Sequence, residues 1–234
     1  MNEFSSAVGS AVSMILTLDA DLVEIVLLSL QVSLGAVFIA SAVALPLGAF
    51  IALQRFPGRR GVVILLNALM GLPPVVVGLM VYLLLSRAGP LGPMGLLFTP
   101  TAMVIAQSII VLPIIAALTR QTIADLHEEY DEYLRSLGCT PLQSVATLLW
   151  DGRFRLLTAV MAGFGRAIAE VGAVIIVGGN IQHATRVMTT TIALETSKGN
   201  LALALGLGLI LVTIALSVNA ATLVLADAAR RRYG

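Results

Sequence analysis

Apolar positions along this chain come in long uninterrupted blocks rather than in the alternations of a half-buried helix or strand. No Asp, Glu, Lys or Arg occurs in residues 25–54, 61–86, 88–119 or 199–226, runs of 30, 26, 32 and 28 residues. About 20 apolar residues in a helix cross the ~30 Å hydrocarbon core of a bilayer, so each run is long enough to span. The blocks predict helices near 24–53, 61–86, 99–119 and 200–226. Residues 156–177 are apolar except for Arg166 and Glu170. At 1.5 Å per residue they measure roughly 33 Å and make a fifth crossing. The pattern therefore predicts an all-α, polytopic membrane protein with five transmembrane helices. Residues 4–18 admit two readings, a short helix at the membrane interface or a sixth crossing. Asp19, Asp21 and Glu24 leave only about 15 apolar residues before them, which favours the interface.

Three of the predicted spans carry internal prolines, Pro46, Pro73-Pro74 and Pro113. Each removes a backbone donor and clashes with the preceding turn, so kinks are expected there. The double break before Val75-Val76-Val77-Gly78 is expected to line a cavity, because freed carbonyls are tolerated at membrane depth only against protein or water. Gly89-Pro90-Leu91-Gly92-Pro93 reads as turn punctuation.

Composition narrows the function classes. Of 234 residues, 58% are hydrophobic and 12% charged, against roughly 25% charged in an ordinary soluble domain. That excludes a secreted disulfide scaffold, a nucleic-acid binder and a soluble enzyme, and leaves channel, transporter, membrane enzyme or assembly subunit. The single cysteine, Cys139, excludes an internal disulfide. Residues 1–20 hold no Lys or Arg, so no signal-peptide n-region is expected. With five spans the termini lie on opposite sides. One side collects Arg55, Arg59, Arg60, Arg120, Arg135, Arg153, Arg155, Arg230, Arg231 and Arg232, the other Arg87, Arg186 and Lys198. The positive-inside rule puts the amino terminus outside and the carboxyl terminus in the cytoplasm.

The longest internal polar stretch, 120–155, reads as helix, stop and helix. Ile123, Leu126, Tyr130, Tyr133, Leu134 and Leu137 share one face at helical spacing, opposite Asp125, Glu128, Glu129, Asp131 and Glu132. Gly138 suits a left-handed helix end. Thr140 can cap the next helix, with Pro141 at its first position and Gln143 closing a capping box. Leu142, Val145, Ala146 and Leu149 then form a second apolar stripe. An apolar face outside the bilayer needs a cover, which is a cytoplasmic partner, the membrane surface or this chain's own helices.

Glu128 to Pro141 resembles the "EAA" loop of ABC importer membrane subunits, in which a Glu-Ala-Ala sequence precedes a glycine and a short coupling helix follows. Spaced from Gly138, the acidic position falls on Glu132, and the two alanines are Tyr133 and Leu134 here. A later Leu-Pro of the family appears as Trp150-Asp151. The resemblance runs from about residue 22 onward, through Arg55-Phe56-Pro57-Gly58-Arg59, Leu72 to Gly78 and Gly165 to Ala173. These stretches together are similar to the permeases for molybdate and tungstate. Ile176 to Ile181, Thr185 to Thr191 and Leu194 to Gly199 are more similar to the tungstate branch. The resemblance implies a type I ABC importer transmembrane-domain fold of the ModB/MetI kind. Its expected layout is an external segment 1–21, one transmembrane domain 22–227 with coupling loop 120–155, and a basic cytoplasmic tail 228–234. It also implies a homodimer in a bacterial cytoplasmic membrane, two cytoplasmic ABC ATPase subunits, an external substrate-binding protein, and tungstate, or alternatively molybdate or sulfate, as the carried anion. The coupling residues it implies are Glu132, Gly138, Cys139, Thr140, Pro141, Leu142 and Val145.

Arg166 stands near the middle of the fourth span with Glu170 four residues on, hence on the same helix face. A charge at that depth costs about 2.5–3.5 kcal/mol and should face protein or water. The pair reads either as a positive point on an anion passage or as a neutralised pair that fixes packing. Asn180, Arg186, Thr189 and Thr190 offer donors on the outer side, to a binding protein or an entering anion, or they belong to an ordinary solvated loop. A phosphate-binding P-loop needs Gly-Lys followed by Ser or Thr, and the one lysine, Lys198, lies between Ser197 and Gly199. ATP and Mg are therefore expected on a partner subunit, with no cofactor and no catalytic residue in this chain. His127, His183 and Cys139 are too few and scattered for zinc, and His127 reads as solvated. The rival class is an ATP-independent channel or secondary carrier. Having ionisable groups inside only one span counts against a proton relay.

Overall fold

The computed structural model describes residues 2–17 and 19–233, with side chains described for 8, 9, 11–17, 19–141, 143–222 and 224. Ten α-helices follow one another among these residues: α1 (Asn2–Leu16), α2 (Ala20–Leu53), α3 (Arg59–Met70), α4 (Pro74–Leu85), α5 (Pro100–Ser136), α6 (Pro141–Asp151), α7 (Arg153–Ile168), α8 (Gly172–Gly178), α9 (Met188–Ser197) and α10 (Leu201–Tyr233). A 3-10 turn, Gly92–Met94, precedes α5. Three helices are long and apolar enough to cross a membrane alone: α2, α5, and α10 over Leu201–Thr222. Two broken pairs, α3 with α4 and α7 with α8, bring the total to five if each pair is one span.

Not every proline breaks a helix. Pro46 and Pro113 lie inside α2 and α5, and both helices run on through them. Only Pro73-Pro74 stops the helix, because Pro73 takes an extended conformation (φ −62°, ψ 122°) and Pro74 starts α4 at its first position. Two consecutive residues without N–H donors cannot continue the preceding ladder, whereas a single one costs one bond. The predicted third span and the amphipathic helix predicted after it are one helix of 37 residues, α5. The fourth span departs from the sequence reading. It breaks at Ala169–Val171, which places Glu170 outside the helix that carries Arg166.

The chain divides into two compact units. Helices α2, α5 and α10 contribute residues to both. In the unit made of residues 1–35, 73–107 and 168–218, α4 packs on α8 without room for a side chain at Gly78. A Cβ there would lie 2.7 Å from the Ala173 Cα and 3.2 Å from its carbonyl oxygen. Met103, Val174 and Val177 are fully buried around that contact. The N–H of Phe98 donates to the Val177 carbonyl at 2.9 Å, and Phe98 meets Tyr82 edge-on at 6.3 Å between ring centres. The 15 residues of α1 reach only about 22 Å, too short to cross. Ala11 of α1 is wholly buried and lies where a Cβ on Gly206 of α10 would touch it, at 3.7 Å. So α1 is seated on α10, and by length it does not make a crossing of its own. Met1 and Leu18 of the external segment lie outside the described residues.

In the unit made of residues 36–72, 108–167 and 219–234, the core is Ala49, Ala52, Ile123, Leu126, Leu134, Leu148 and Leu156. It ties the end of α2 to α5, α6 and the start of α7. Cys139, Val145 and Leu149 pack against it half-buried. The helix α10 runs to Tyr233, so residues 228–233 are helical. The side chains of Arg230, Arg231 and Arg232 lie outside the described residues, as does Gly234.

Candidate coupling site and external cluster

The helix-stop-helix of residues 120–155 forms as its residue types require. At the end of α5, Gly138 adopts φ +67°, a left-handed conformation that a Cβ would strain, and its N–H donates to the Arg135 carbonyl at 3.0 Å. Thr140 caps α6. Its Oγ1 accepts from the Gln143 N–H at 3.4 Å, and the Thr140 N–H donates to Gln143 Oε1 at 2.8 Å. That reciprocal box satisfies two donors that a helix start otherwise leaves orphaned. Thr140→Ala is expected to cost about 1 kcal/mol, read as a lower melting temperature of the purified chain without loss of its expression.

Both apolar stripes divide between two surroundings. On α5, Ile123, Leu126 and Leu134 are buried in the chain's own core, while Tyr133 and Leu137 stay 64% and 60% exposed. On α6, Ser144 and Leu148 point inward, with Val145 and Leu149 half-buried beside them. The outward face is Gln143, Ala146, Thr147 and Trp150, at i, i+3, i+4 and i+7. Val145 of the sequence stripe therefore turns in part to the chain's own core, and among the described side chains of that stripe Ala146 alone is exposed. The side chain of Leu142 lies outside the described residues. Glu132 is exposed on α5. Arg153 steadies the far end of α6, donating to the Trp150 carbonyl at 2.7 Å with its guanidinium 4.8 Å from the centre of the Trp150 ring.

Beside this hinge lies a cleft of about 340 Å³, whose lining includes Arg55, His127, Asp131, Arg135 and Cys139. Asp131 holds Arg135 through two contacts of 2.9 Å. His127, read as solvated from the sequence, is only partly so. Its Nε2 is 3.6 Å from Asp131, and its Nδ1 is buried without a hydrogen-bond partner.

The fourth-span pair is not an i, i+4 pair on one helix. Arg166 stands in the last turn of α7. Glu170 is 3% exposed, and its Oε1 accepts the Ala173 N–H at 3.1 Å, at the start of α8. Its backbone carbonyl accepts from Thr189 Oγ1 at 2.8 Å. A carboxylate at a helix start meets the positive end of the dipole, which gives the break a local cause that apolar patterning hides.

The loop that the sequence reading put on the outer side is not an ordinary solvated one. Residues 188–197 form α9, and Thr189, Thr190 and Thr191 are buried. Thr190 Oγ1 donates to Asn180 Oδ1 at 2.9 Å, and Thr191 Oγ1 donates to the Val187 carbonyl at 2.7 Å. The Thr190 hydroxyl thus ties α9 to the turn at Asn180, and the Thr191 hydroxyl closes on the first turn of α9 itself, so both face the protein. The Met188 N–H is accepted by Ser29 Oγ of α2 at 2.8 Å. At the end of α9, Glu195 is buried and takes Lys198 Nζ at 2.9 Å and Asn200 Nδ2 at 3.0 Å. The Lys198 contact holds its pKa below the usual carboxylate value.

Sequence spacing had kept His183 apart from any partner, but the fold brings it to Asp21 and Glu24. Their ligand-type atoms lie within 4.8 Å of one another, all three side chains exposed. His183 Nδ1 is 2.8 Å from Glu24 Oε2, and that hydrogen bond raises the histidine pKa above 6.5, with Asp21 adding to it and Arg186 opposing. A raised folded-state pKa means the clasp between this loop and the start of α2 is fully present below pH 6.5 and is lost as pH rises through the folded value. The protection factors of the amides of residues 182–184, with intrinsic base-catalysed exchange divided out, are expected to fall across that interval above pH 6.5. His183→Gln should abolish the pH dependence.

Residues 44–233 match the family of binding-protein-dependent transport system inner membrane components. The chain is 40% identical over 218 residues to the tungstate uptake system permease protein TupB of Peptoclostridium acidaminophilum, covering 93% of this chain and 96% of that one. It is 38% identical over 218 residues to a probable anion ABC transporter permease protein of Haloferax volcanii, covering 91% and 94%. TupB of Campylobacter jejuni is 40% identical over 148 residues, 63% of this chain and 62% of its own.

Proposed function

From a chain that belongs to the family of binding-protein-dependent transport system inner membrane components, we propose the permease of an ATP-driven tungstate importer. The observation that carries this reading is the 40% identity to a tungstate uptake permease across nearly both whole chains. The permease works with an ATPase and an external binding protein, as its family's description requires of the second. It acts as a homodimer with two ATPase subunits, the amino terminus outside and the arginine-rich side in the cytoplasm.

The mechanics are a lever. ATP binding closes the ATPase pair and draws the two α6 helices together. Each α6 is capped at Thr140, hinged at Gly138 and anchored through Leu148 to the core at the foot of α2 and α5. Force on the outward face of α6 therefore passes into spanning helices instead of bending a loop. The spanning halves open outward, the anion enters from its binding protein, and hydrolysis resets the inward-open state. Arg166 and the broken second and fourth spans are the elements proposed for the passage. Exchange of Arg166 for Lys and for Gln tests its part: unchanged uptake in both, with the ATPase still bound, removes it from the path.

The carried anion is tested in proteoliposomes holding permease and ATPase, supplied with the binding protein. Labelled tungstate uptake should resist an excess of unlabelled sulfate and yield to unlabelled tungstate. Equal competition by molybdate would make the protein a general metal-oxyanion permease, and dominant competition by sulfate would overturn the assignment.

A further inference from the structure

The two broken spans are broken by different means. At Pro73-Pro74 the interruption is written into the covalent chain, because two consecutive residues lack the N–H that a helix needs. Residues 169–171 are Ala, Glu and Val, all able to sit inside a helix, and none of them has a positive φ. Val171 is already close to helical at φ −116°, ψ −52°. No residue type forbids a continuous helix there.

Hydrogen bonds hold this break instead. In a continuous helix each N–H goes to the carbonyl four residues back, so the Ala173 N–H would reach Ala169 and the Glu170 carbonyl would take the Val174 N–H. Here the Glu170 carboxylate accepts the Ala173 N–H at 3.1 Å, and the Thr189 hydroxyl donates to the Glu170 carbonyl at 2.8 Å. Each replaces one ladder bond. Both residues are sealed from water, Glu170 at 3% and Thr189 at 8% exposure, so solvent does not make good the loss of the hydroxyl. Thr189 is itself fixed. It stands in α9 between Met188, whose N–H is held by Ser29 of α2 at 2.8 Å, and Thr190, tied to Asn180 at 2.9 Å.

We infer that residues 169–171 form a reversible switch between a broken and a continuous helix, with Thr189 as the positioning residue that holds the broken form. Trading two surrogate bonds for two ladder bonds leaves the forms nearly matched in hydrogen bonding, which is the condition for a switch. The prolines of the second span give that break no such choice. That the switch turns over during transport rests on the permease reading, whereas the switch itself needs no carried anion.

The test uses the permease–ATPase complex in nanodiscs, with amide hydrogen exchange read by mass spectrometry and intrinsic rates divided out. Thr189→Val keeps the shape of the side chain and removes the donor, which is worth about a five-fold shift toward the continuous helix. Protection of the amides of residues 171–174 should therefore rise, by up to that factor, and Thr189→Ser should match the unmodified complex. A bond that merely steadied the loop predicts the opposite, faster exchange in Thr189→Val. Gly172→Ala reaches the same end without touching Thr189. Alanine is favoured over glycine inside a helix, and its Cβ would stand 2.8 Å from Val75 Cγ2 in the broken form. It should raise protection too, which keeps the test open if Thr189→Val fails to fold. Unchanged or lower protection in either variant overturns the switch. ATP-driven uptake by Thr189→Val should fall with the ATPase still bound, and undiminished uptake removes the switch from the transport cycle. Exchange is read without tungstate, so its result stands or falls apart from the identity of the carried anion.

Discussion

Ala146→Asp is expected to reduce ATP-driven uptake about a hundredfold and to strip the ATPase from the purified complex. Ala146 sits in the middle of the exposed face of α6, with Gln143, Thr147 and Trp150 around it. Placing an unpaired carboxylate in a desolvated interface costs 2–5 kcal/mol, and about 2.7 kcal/mol is a hundredfold. The comparison with Val145→Asp makes the result specific. Val145 packs against the core of Ile123, Leu126 and Leu148, so its charge should lower the melting temperature of the permease alone as well as uptake. Ala146→Asp should leave that melting temperature unchanged, because the side chain touches solvent. Normal co-purification and uptake in Ala146→Asp would dissolve the coupling assignment of α6.

Gly78→Val is the second substitution with a large expected effect. The first carbon of any side chain there would stand 2.7 Å from the Ala173 Cα, and backbone cannot turn aside as a side chain can. Overpacking of this kind costs 1–3 kcal/mol, occasionally more. Here it also separates α4 from α8, the second helices of the two broken spans. The expected outcome is a melting temperature several degrees lower and uptake below about a tenth. Gly208→Ala is the control, since nothing lies within 4 Å of a Cβ at that position. Equal behaviour of the two variants would mean that the α4–α8 contact is dispensable.

How much of this was legible beforehand depended on whether the cause lay within a few residues or across the fold. The capping box at Thr140 and Gln143 and the stop at Gly138 are local chemistry, and the structure reproduces both. The five apolar blocks follow from bilayer thickness, and the helices fit them. The break at Ala169–Val171 was hidden, because an apolar segment of spanning length reads as continuous. What interrupts it is the Glu170 carboxylate on the Ala173 N–H together with Thr189 from a distant helix. The buried threonines of α9 misled for a similar reason. A run of Thr after a glycine pair looks like a solvated loop until Asn180 and Val187 are seen to accept its hydroxyls. On α6 the stripe rule counted apolar residues but could not see Ser144 turned inward, which rotates the true inner face. Nor could spacing foresee that His183 would meet Glu24, 159 residues away in sequence.

Transport as proposed for this chain requires ATP hydrolysis by a partner subunit. Proteoliposomes containing the permease, its ATPase and external binding protein are loaded with ATP and Mg, and labelled tungstate is added outside. Accumulation above the external concentration is expected, and it should disappear without ATP, without the ATPase, or with a non-hydrolysable nucleotide. Tungstate accumulation by the permease alone, driven by a proton or ion gradient, would contradict it.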